Sequence, residues 1–464
     1  MRPQNRPRTS PNPSRKTVRA VSLSVPLALL ALLGASAARP QEPVPAIPIS
    51  LAEALDLAGQ QNPDLAAARA QVAAESERTE AVRRGTWPRL GLETGWSYTD
   101  IPSAVFAHKL DSGEFTAADF EISRLNDPAG LAHLGTTLGV EAPVDAFGKI
   151  RTSALAASER TRSAEARTGE AALELRLQVA RAYRQAALAR RAVAVTEQAL
   201  VGARSREADL EARVTGGAAL QSDLLRARAR RREREADLAE RQADRRSAAA
   251  ALARALGAPA GTVYEAVEEA AAPAPLDEPL AAWMDRALAG RPALLGTAAA
   301  AEAARHALQG EAKSRLPDLA VWGRVQDNRT GFGGGKVAGG IGIGLRWSAF
   351  DPTRDRRKAA AEAELSVAEL QARAAADQVR LEVETAWHRA RAARERFAAA
   401  AGGAEEGREA LRVIRERRLA GFATLTDELE TEAASLAAEL QELRAATEAA
   451  LADAALERAA GGRK

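Results

Sequence analysis

Prolines recur in register along this chain. Pro63 and Pro292 stand 229 residues apart, as do Pro88 and Pro317, and Leu51 has a counterpart in Leu280 at the same offset. Between these markers each segment carries a helical pattern, in the first case through Leu51, Leu55, Ala58, Leu65, Ala68 and Val72. A proline inside a helix removes an amide donor and clashes with the preceding turn, so Pro63 either kinks this helix or divides it. A Pro-rich lead precedes both segments, with Pro40, Pro43, Pro45 and Pro48 before the first and Pro273, Pro275 and Pro279 before the second. Matching proline spacing of this kind marks an internal duplication, and a duplicated chain folds as two halves of one plan.

Each copy then changes period from helix to strand. In the first, Leu90, Leu92, Thr94, Trp96 and Tyr98 alternate with Gly91, Glu93, Gly95 and Ser97, and a returning strand runs through Leu134, Thr136, Leu138 and Val140. In the second, Leu319, Val321 and Val325 oppose Asp318, Arg324 and Gln326. Its returning strand is the sharpest: Val337, Ile341, Ile343, Leu345 and Trp347 share a face with Gly339, opposite Ala338, Gly340, Gly342, Gly344 and Arg346. Period-two alternation of this kind gives a strand with two unlike faces. The turn at 329–336 is short and Gly-rich, whereas the first hairpin is interrupted by a long connection, 101–130, that holds Phe106, Lys109, Phe115, Phe120 and an Asn126, Asp127, Pro128 turn.

Two long tracts free of proline follow, 149–213 and 354–420, each ~100 Å long as a continuous helix. They match at an offset of 204, with Val179, Ala182, Tyr183 and Ala186 echoed by Val383, Ala386, Trp387 and Ala390. The three-and-four spacing is that of a coiled coil. The small seam residues favour helices laid side by side in a wall. Each tract ends at glycine (Gly216 and Gly217, then Gly421 before Phe422), as expected where the chain needs positive φ just past a helix end. Return helices start near Asp223 and Asp427, again 204 apart, the second behind a capping-box pattern at Thr424. The first return helix and the 51–86 tract together roughly equal one long helix, so they fit end to end beside it.

The N-terminus reads as a secretory signal over 1–37: Arg2, Arg6, Arg8, Arg15, Lys16 and Arg19, an apolar run over 21–34, and a small-x-small site at Ala35, Ser36 and Ala37. Six of the 65 basic and none of the 62 acidic residues lie there, leaving 59 against 62, a net charge of −3. The basic excess of the whole chain is therefore no argument for nucleic acid. No later stretch approaches the ~20 apolar residues of a spanning helix. The chain has no cysteine, which excludes disulfides, thiolate chemistry and Cys-anchored lipid. The expected organisation is 1–37 signal, 38–257 first repeat with a hairpin at 88–145, 258–279 linker, and 280–464 second repeat with a hairpin at 317–350.

Four amphipathic strands cannot close a barrel, which takes about eight. Left open they expose unpaired edges and an apolar face, so other copies of the chain are needed to complete the sheet. Trp87, Trp96, Trp322 and Trp347 lie in or beside strands, as in the aromatic girdles of membrane barrels. The apolar face, with Ile341, Ile343, Leu345 and Trp347, is expected to meet lipid and the bare face to line a pore. On that reading Ile343→Asp impairs membrane assembly and Gly342→Ser is tolerated.

The order Leu51, Asn62, Pro63, Trp87, Pro88, then the hairpin, then the Pro143, Val144, Asp145, Ala146, Phe147, Gly148, Lys149 entry to the long helix, then Gly217 and Asp223, and its repetition, resembles the TolC-type outer membrane efflux protein family. The resemblance covers essentially the whole chain after the signal. It implies a mainly α fold with a small membrane β-barrel: a homotrimer whose twelve strands form one barrel in outer-membrane lipid and whose helices form a periplasmic α-barrel tunnel. It further implies a periplasmic adaptor (membrane fusion) protein at the helix tips, here Gly216, Gly217, Asp223, Gly421, Phe422 and Asp427, coupling the duct to an inner-membrane pump of RND or ABC type. Many relatives carry a lipidated N-terminal Cys, which this chain lacks.

Other site readings are weaker. Asp223 and Asp427 are first-turn acids favoured by the helix dipole. Arg213 and Arg417 stand one turn away, and by symmetry the four form a possible tunnel-mouth gate, paired across neighbouring helices. His108, His133, His306 and His388 are scattered without metal-ligand spacing, and the glycines at 331–335 precede a strand, so no metal, cofactor or catalytic site is expected. The Arg- and Glu-dense tract 226–246 is a solvated helix face rather than a nucleic-acid patch, because acids are interleaved throughout. The function expected is a passive exit duct of a tripartite efflux or type I secretion system. The competing class is a periplasmic coiled-coil spacer, which needs no lipid-facing hairpins. Drug, metal and protein cargo remain open.

Overall fold

The computed structural model describes residues 46–462 apart from 260, 269, 332 and 334; the signal segment read over 1–37 lies outside them. Helices dominate. β1 (Ile47–Ile49) leads into α1 (Leu51–Gln61), α2 (Pro63–Arg83), the hairpin strand β2 (Arg89–Thr99), the short helices α3 (Pro102–Ser112) and α4 (Ile122–Asn126), and β3 (Leu131–Val144). The long helix α5 (Lys149–Thr215) and its return α6 (Gln221–Ala255) follow, then β4 (Tyr264–Ala266), α7 (Leu280–Gly290), α8 (Pro292–Lys313), β5 (Asp318–Thr330), β6 (Gly335–Arg346), α9 (Arg354–Leu419) and α10 (Leu425–Ala459). Among the described residues no helix is long and apolar enough to cross a membrane.

Pro63 divides rather than kinks. It opens α2 in the first helical turn, where its missing amide costs nothing, and the Asn62 side chain caps the turn by accepting from the Asp64 and Leu65 amides. Pro292 opens α8 in the same way. The end-to-end stacking is also found. Asn62 Nδ2 donates to the Ala255 carbonyl at 3.1 Å, so the start of α2 meets the last turn of α6, and both lie against α5. Gly257, at φ +72°, sits so close that a Cβ would fall 2.7 Å from the Gln61 carbonyl, so only glycine turns the chain there.

Small residues build the helical wall. Ala156, Ala157, Ala164, Ala180, Ala182, Ala186 and Ala187 of α5 are all buried, letting α2, α6 and α8 approach closely. One core gathers Val179, Tyr183, Leu252 and Leu256 under the β1 and β4 pair; another gathers Trp283, Val383, Ala390 and Leu456. The Tyr183 hydroxyl donates to the Ile49 carbonyl and accepts from the Glu268 amide, pinning the short parallel sheet to α5.

The hairpins join in one antiparallel sheet of order β2, β3, β5, β6. Among the described residues its two outer strands, β2 and β6, each pair on one side only.

Candidate functional site

Register sorts the sheet's side chains, because residues directly opposite across a ladder share a face. Leu90, Val140 and Ile341 fall on one face with Leu92, Leu138, Val325, Val321 and Ile343. Leu319, Leu345 and Val144 extend it. Among the described residues this face is left largely open: Ile341 is 90% exposed, and Leu90, Leu92, Trp96, Ile343, Leu345 and Trp347 are all exposed. Such an apolar surface is a membrane or protein interface. The other face carries Arg89, Glu93, Thr137, Glu141, Asn328, Gln326, Arg324, Lys336 and Arg346 among glycines.

Trp322 is a correction to the girdle reading. It pairs with Glu141 and Gly342 and so stands on the polar face. Its indole lies along the glycine strip of β6. A Cβ on Gly342 would be 2.7 Å from Trp322 Cζ2, and Cβ atoms on Gly340 and Gly344 would each meet the ring at 3.8 Å. The bare face is therefore a seat for an aromatic ring, and Gly342→Ser, expected from sequence to be harmless, forces the indole to move. The Arg324 guanidinium lies 5.7 Å from that ring.

The 101–130 connection, to which the sequence assigned no role, folds as a helical insert. Phe106 packs edge-on to Phe115 at 4.6 Å and Phe120 at 6.5 Å. Lys109 bonds Asp119 at 2.6 Å; that contact, with the Thr116 amide and hydroxyl, holds Asp119 down to about 2. The insert lies against the polar face: His108 stacks on His133 at 3.9 Å, and Thr330 bonds Glu114.

At the far end of the long helices both turns close as the glycines foretold, with Gly217 at φ +72° and Gly421 at φ +83°. The Ala218 and Phe422 amides reach back to the Arg213 and Arg417 carbonyls. Phe422 is 84% exposed, and Leu220 and Leu419 are exposed beside it. The pairing expected of Arg213 with Asp223 and of Arg417 with Asp427 does not form within the chain. Arg213 pairs with Asp209, Asp223 lies 3.9 Å from Arg226, and Asp427 is spent on the Thr424 capping box. A carboxylate is shorter than the one-turn gap and is captured by its own helix end. Arg417 has no ion pair among the described residues. The charged tie between the tips is instead Glu428, 3% exposed, with Arg206, Arg415 and Arg418 around it and Glu432 on Arg206 at 2.6 Å. Leu210, Leu224, Ala227 and Leu425 pack beneath. Sequence reading missed Glu428 because its partners come from two other helices.

Among the described residues no group of acidic or histidine side chains is arranged to hold a metal ion.

An exposed apolar sheet face backed by a polar one is the pattern of a membrane β-sheet with lipid on one side and water on the other. The profile of the outer membrane efflux protein family matches residues 54–258 and 283–462, so this chain belongs to that family. Solved structures agree in fold. The outer membrane protein VceC of Vibrio cholerae is 21% identical, at a TM-score of 0.71 over 89% of this chain and 96% of that one. CusC, described through its folding and transmembrane channel formation, is 16% identical, at 0.74 over 92% and 98%. The open-state MtrE outer membrane channel of Neisseria gonorrhoeae is 20% identical, at 0.69 over 89% and 89%. No curated protein sequence matches significantly. The chain is thus an outer-membrane protein of the efflux-channel class.

Proposed function

We propose that three copies of this chain form a passive exit duct, with twelve strands closed as one barrel in the outer membrane and the helices continuing as a tunnel into the periplasm. One observation carries the reading: a four-stranded sheet with an exposed apolar face and, among the described residues, both outer edges unpaired. Four strands are too few to close and twelve are ample. Edge pairing of β6 with β2 of the next copy would satisfy the backbone groups that lipid cannot. A coiled-coil spacer has no use for such a face.

The tips, with Gly216, Gly217, Asp223, Gly421, Phe422 and Asp427, are the proposed contact for a periplasmic adaptor that couples the duct to an RND or ABC pump in the inner membrane. Exposed Phe422, Leu419 and Leu220 supply apolar anchors there. Arg213, Asp223, Arg417 and Asp427 are the proposed gate. With Asp223 and Asp427 held by their own helices, Arg417 is the charge left to reach a neighbouring copy.

The test is extraction from outer membranes in detergent, followed by conductance in planar bilayers. A heat-modifiable trimer that conducts ions is expected, and a soluble monomer would sink the duct. Phe422→Asp should abolish efflux while leaving the trimer intact. Arg417→Glu should change single-channel conductance; unchanged conductance removes it from the gate.

A further inference from the structure

The polar face of the sheet holds more positive charge than its own acids neutralise, and the surplus surrounds the Trp322 platform. A hollow of about 520 Å³ is lined by Arg89, Glu141, Trp322, Arg324 and Arg346. Arg89, Glu141 and Trp322 occupy one cross-strand row; Arg324 and Arg346 flank it on β5 and β6. Lys149 and Asp318, also in the wall, neutralise each other at 2.7 Å. Among the described residues, none of Arg89, Arg324 and Arg346 has an ion pair, and the Trp322 indole N–H has no acceptor. The third acid of the wall, Asp145, is turned to the Ile150 and Arg151 amides, and four cations (Arg89, Lys149, Arg324, Arg346) against three acids (Glu141, Asp145, Asp318) leave the hollow one positive charge in excess beside the Trp322 ring. The platform is built, because a Cβ at Gly342 would fall 2.7 Å from the indole, and only glycine there lets the ring lie along β6.

We propose that this hollow is a cargo subsite for organic anions that carry an aromatic ring, such as aryl carboxylates or sulfonates. It rests on the duct reading, which turns this face toward the transported solute. The ring of the solute stacks at Trp322 and Arg324, and its acid group takes charge-assisted hydrogen bonds from Arg324 and Arg346. Guanidinium suits the task because its planar fork meets an oxyanion in two places and its face stacks on an arene. Contacts of this kind, open to water, bind weakly and release readily, as passage requires.

The experiment is block of single-channel current at low ionic strength by three probes of equal ring size: 1-naphthalenesulfonate, 1-naphthalenemethanol and 1-naphthylmethylammonium. The sulfonate should half-block at about tenfold lower concentration than the alcohol, with the ammonium weakest. Arg324→Gln with Arg346→Gln should remove the preference for the sulfonate, and Trp322→Leu should weaken sulfonate and alcohol together. The comparison among probes uses the unmodified protein, so it stands if a variant fails to assemble. Channels that ignore the sign of the probe, or a double variant that blocks as the parent does, overturn the subsite and leave the duct standing. Absence of any channel overturns both.

Discussion

At the head of the second helix in each copy, the chain must tie that helix to the end of another. In the first copy Asn62 does it with a small amide, capping α2 and reaching Ala255. In the second copy the equivalent position is Arg291, 2% exposed, which bonds Glu170 and Glu382 and donates to the Arg458 and Ala459 carbonyls. Arg458 joins both carboxylates from α10. Burial pushes Glu382 up, but the Gln378 hydrogen bond and the charges of Arg458 and Arg291 outweigh it and hold it below its usual range. The tips repeat the contrast. Leu224 and Val214 pack as an apolar contact in the first copy; 204 residues on, the same places hold Glu428 and Arg418, an ion pair. Two copies with one backbone plan have filled equivalent positions by opposite chemistry. An apolar pair and a buried ion pair can replace each other at little net cost, provided that neither partner is left alone.

The comparison is broken most sharply at Arg291. Arg291→Ala leaves Glu170 and Glu382 to share Arg458, which Glu174 also engages, and should cost about 3 kcal/mol, read as a lower melting temperature of the purified protein. Asn62→Ala, at the equivalent place, should cost only about 1 kcal/mol, a cap's worth. If the two costs were equal, the contrast between the copies would be empty. The sheet offers a second pair. Ile341→Arg on the apolar face should cost about 2–4 kcal/mol and lower the yield of assembled protein in the outer membrane. Gly340→Ser, facing the other way with open van der Waals room, should be near neutral, whereas Gly342→Ser must displace Trp322 and should perturb its fluorescence.

The helix caps sharpen the comparison with a smaller effect. Thr424 caps α10, while its counterpart Leu220 gives α6 no side-chain cap. Leu220→Thr should therefore gain about 1 kcal/mol by letting Asp223 complete the box that Asp427 already has. A pH signature accompanies it. The Thr424 amide and then its hydroxyl hold Asp427 below the usual carboxylate range. Its contribution is complete above the unfolded value of about 3.9 and is lost as pH falls through the lower folded value. Thr424→Ala should flatten the pH dependence of the melting temperature below about pH 4.

Much of the fold was legible from period alone. Alternation at Val337, Ile341, Ile343 and Leu345 and the glycine stops at Gly217 and Gly421 are local signals, and backbone geometry answers to them directly. The candidate site was legible only in part. The apolar face follows from parity, but Trp322 was misplaced because an aromatic near a membrane strand was assigned by type rather than by its even position. Arg213 and Asp223 were paired by spacing, while their own helices offered nearer partners.

By itself, then, the sequence determined the long helices, the hairpin strands and the two faces of each strand, since each depends on neighbours within a few residues. Only the tertiary structure decided that Glu428 joins Arg206 and Arg418, that the insert rests on the polar face, and that unpaired arginines gather around Trp322. Those contacts join side chains from distant parts of the chain, and no local spacing encodes which long-range partner a charge will find.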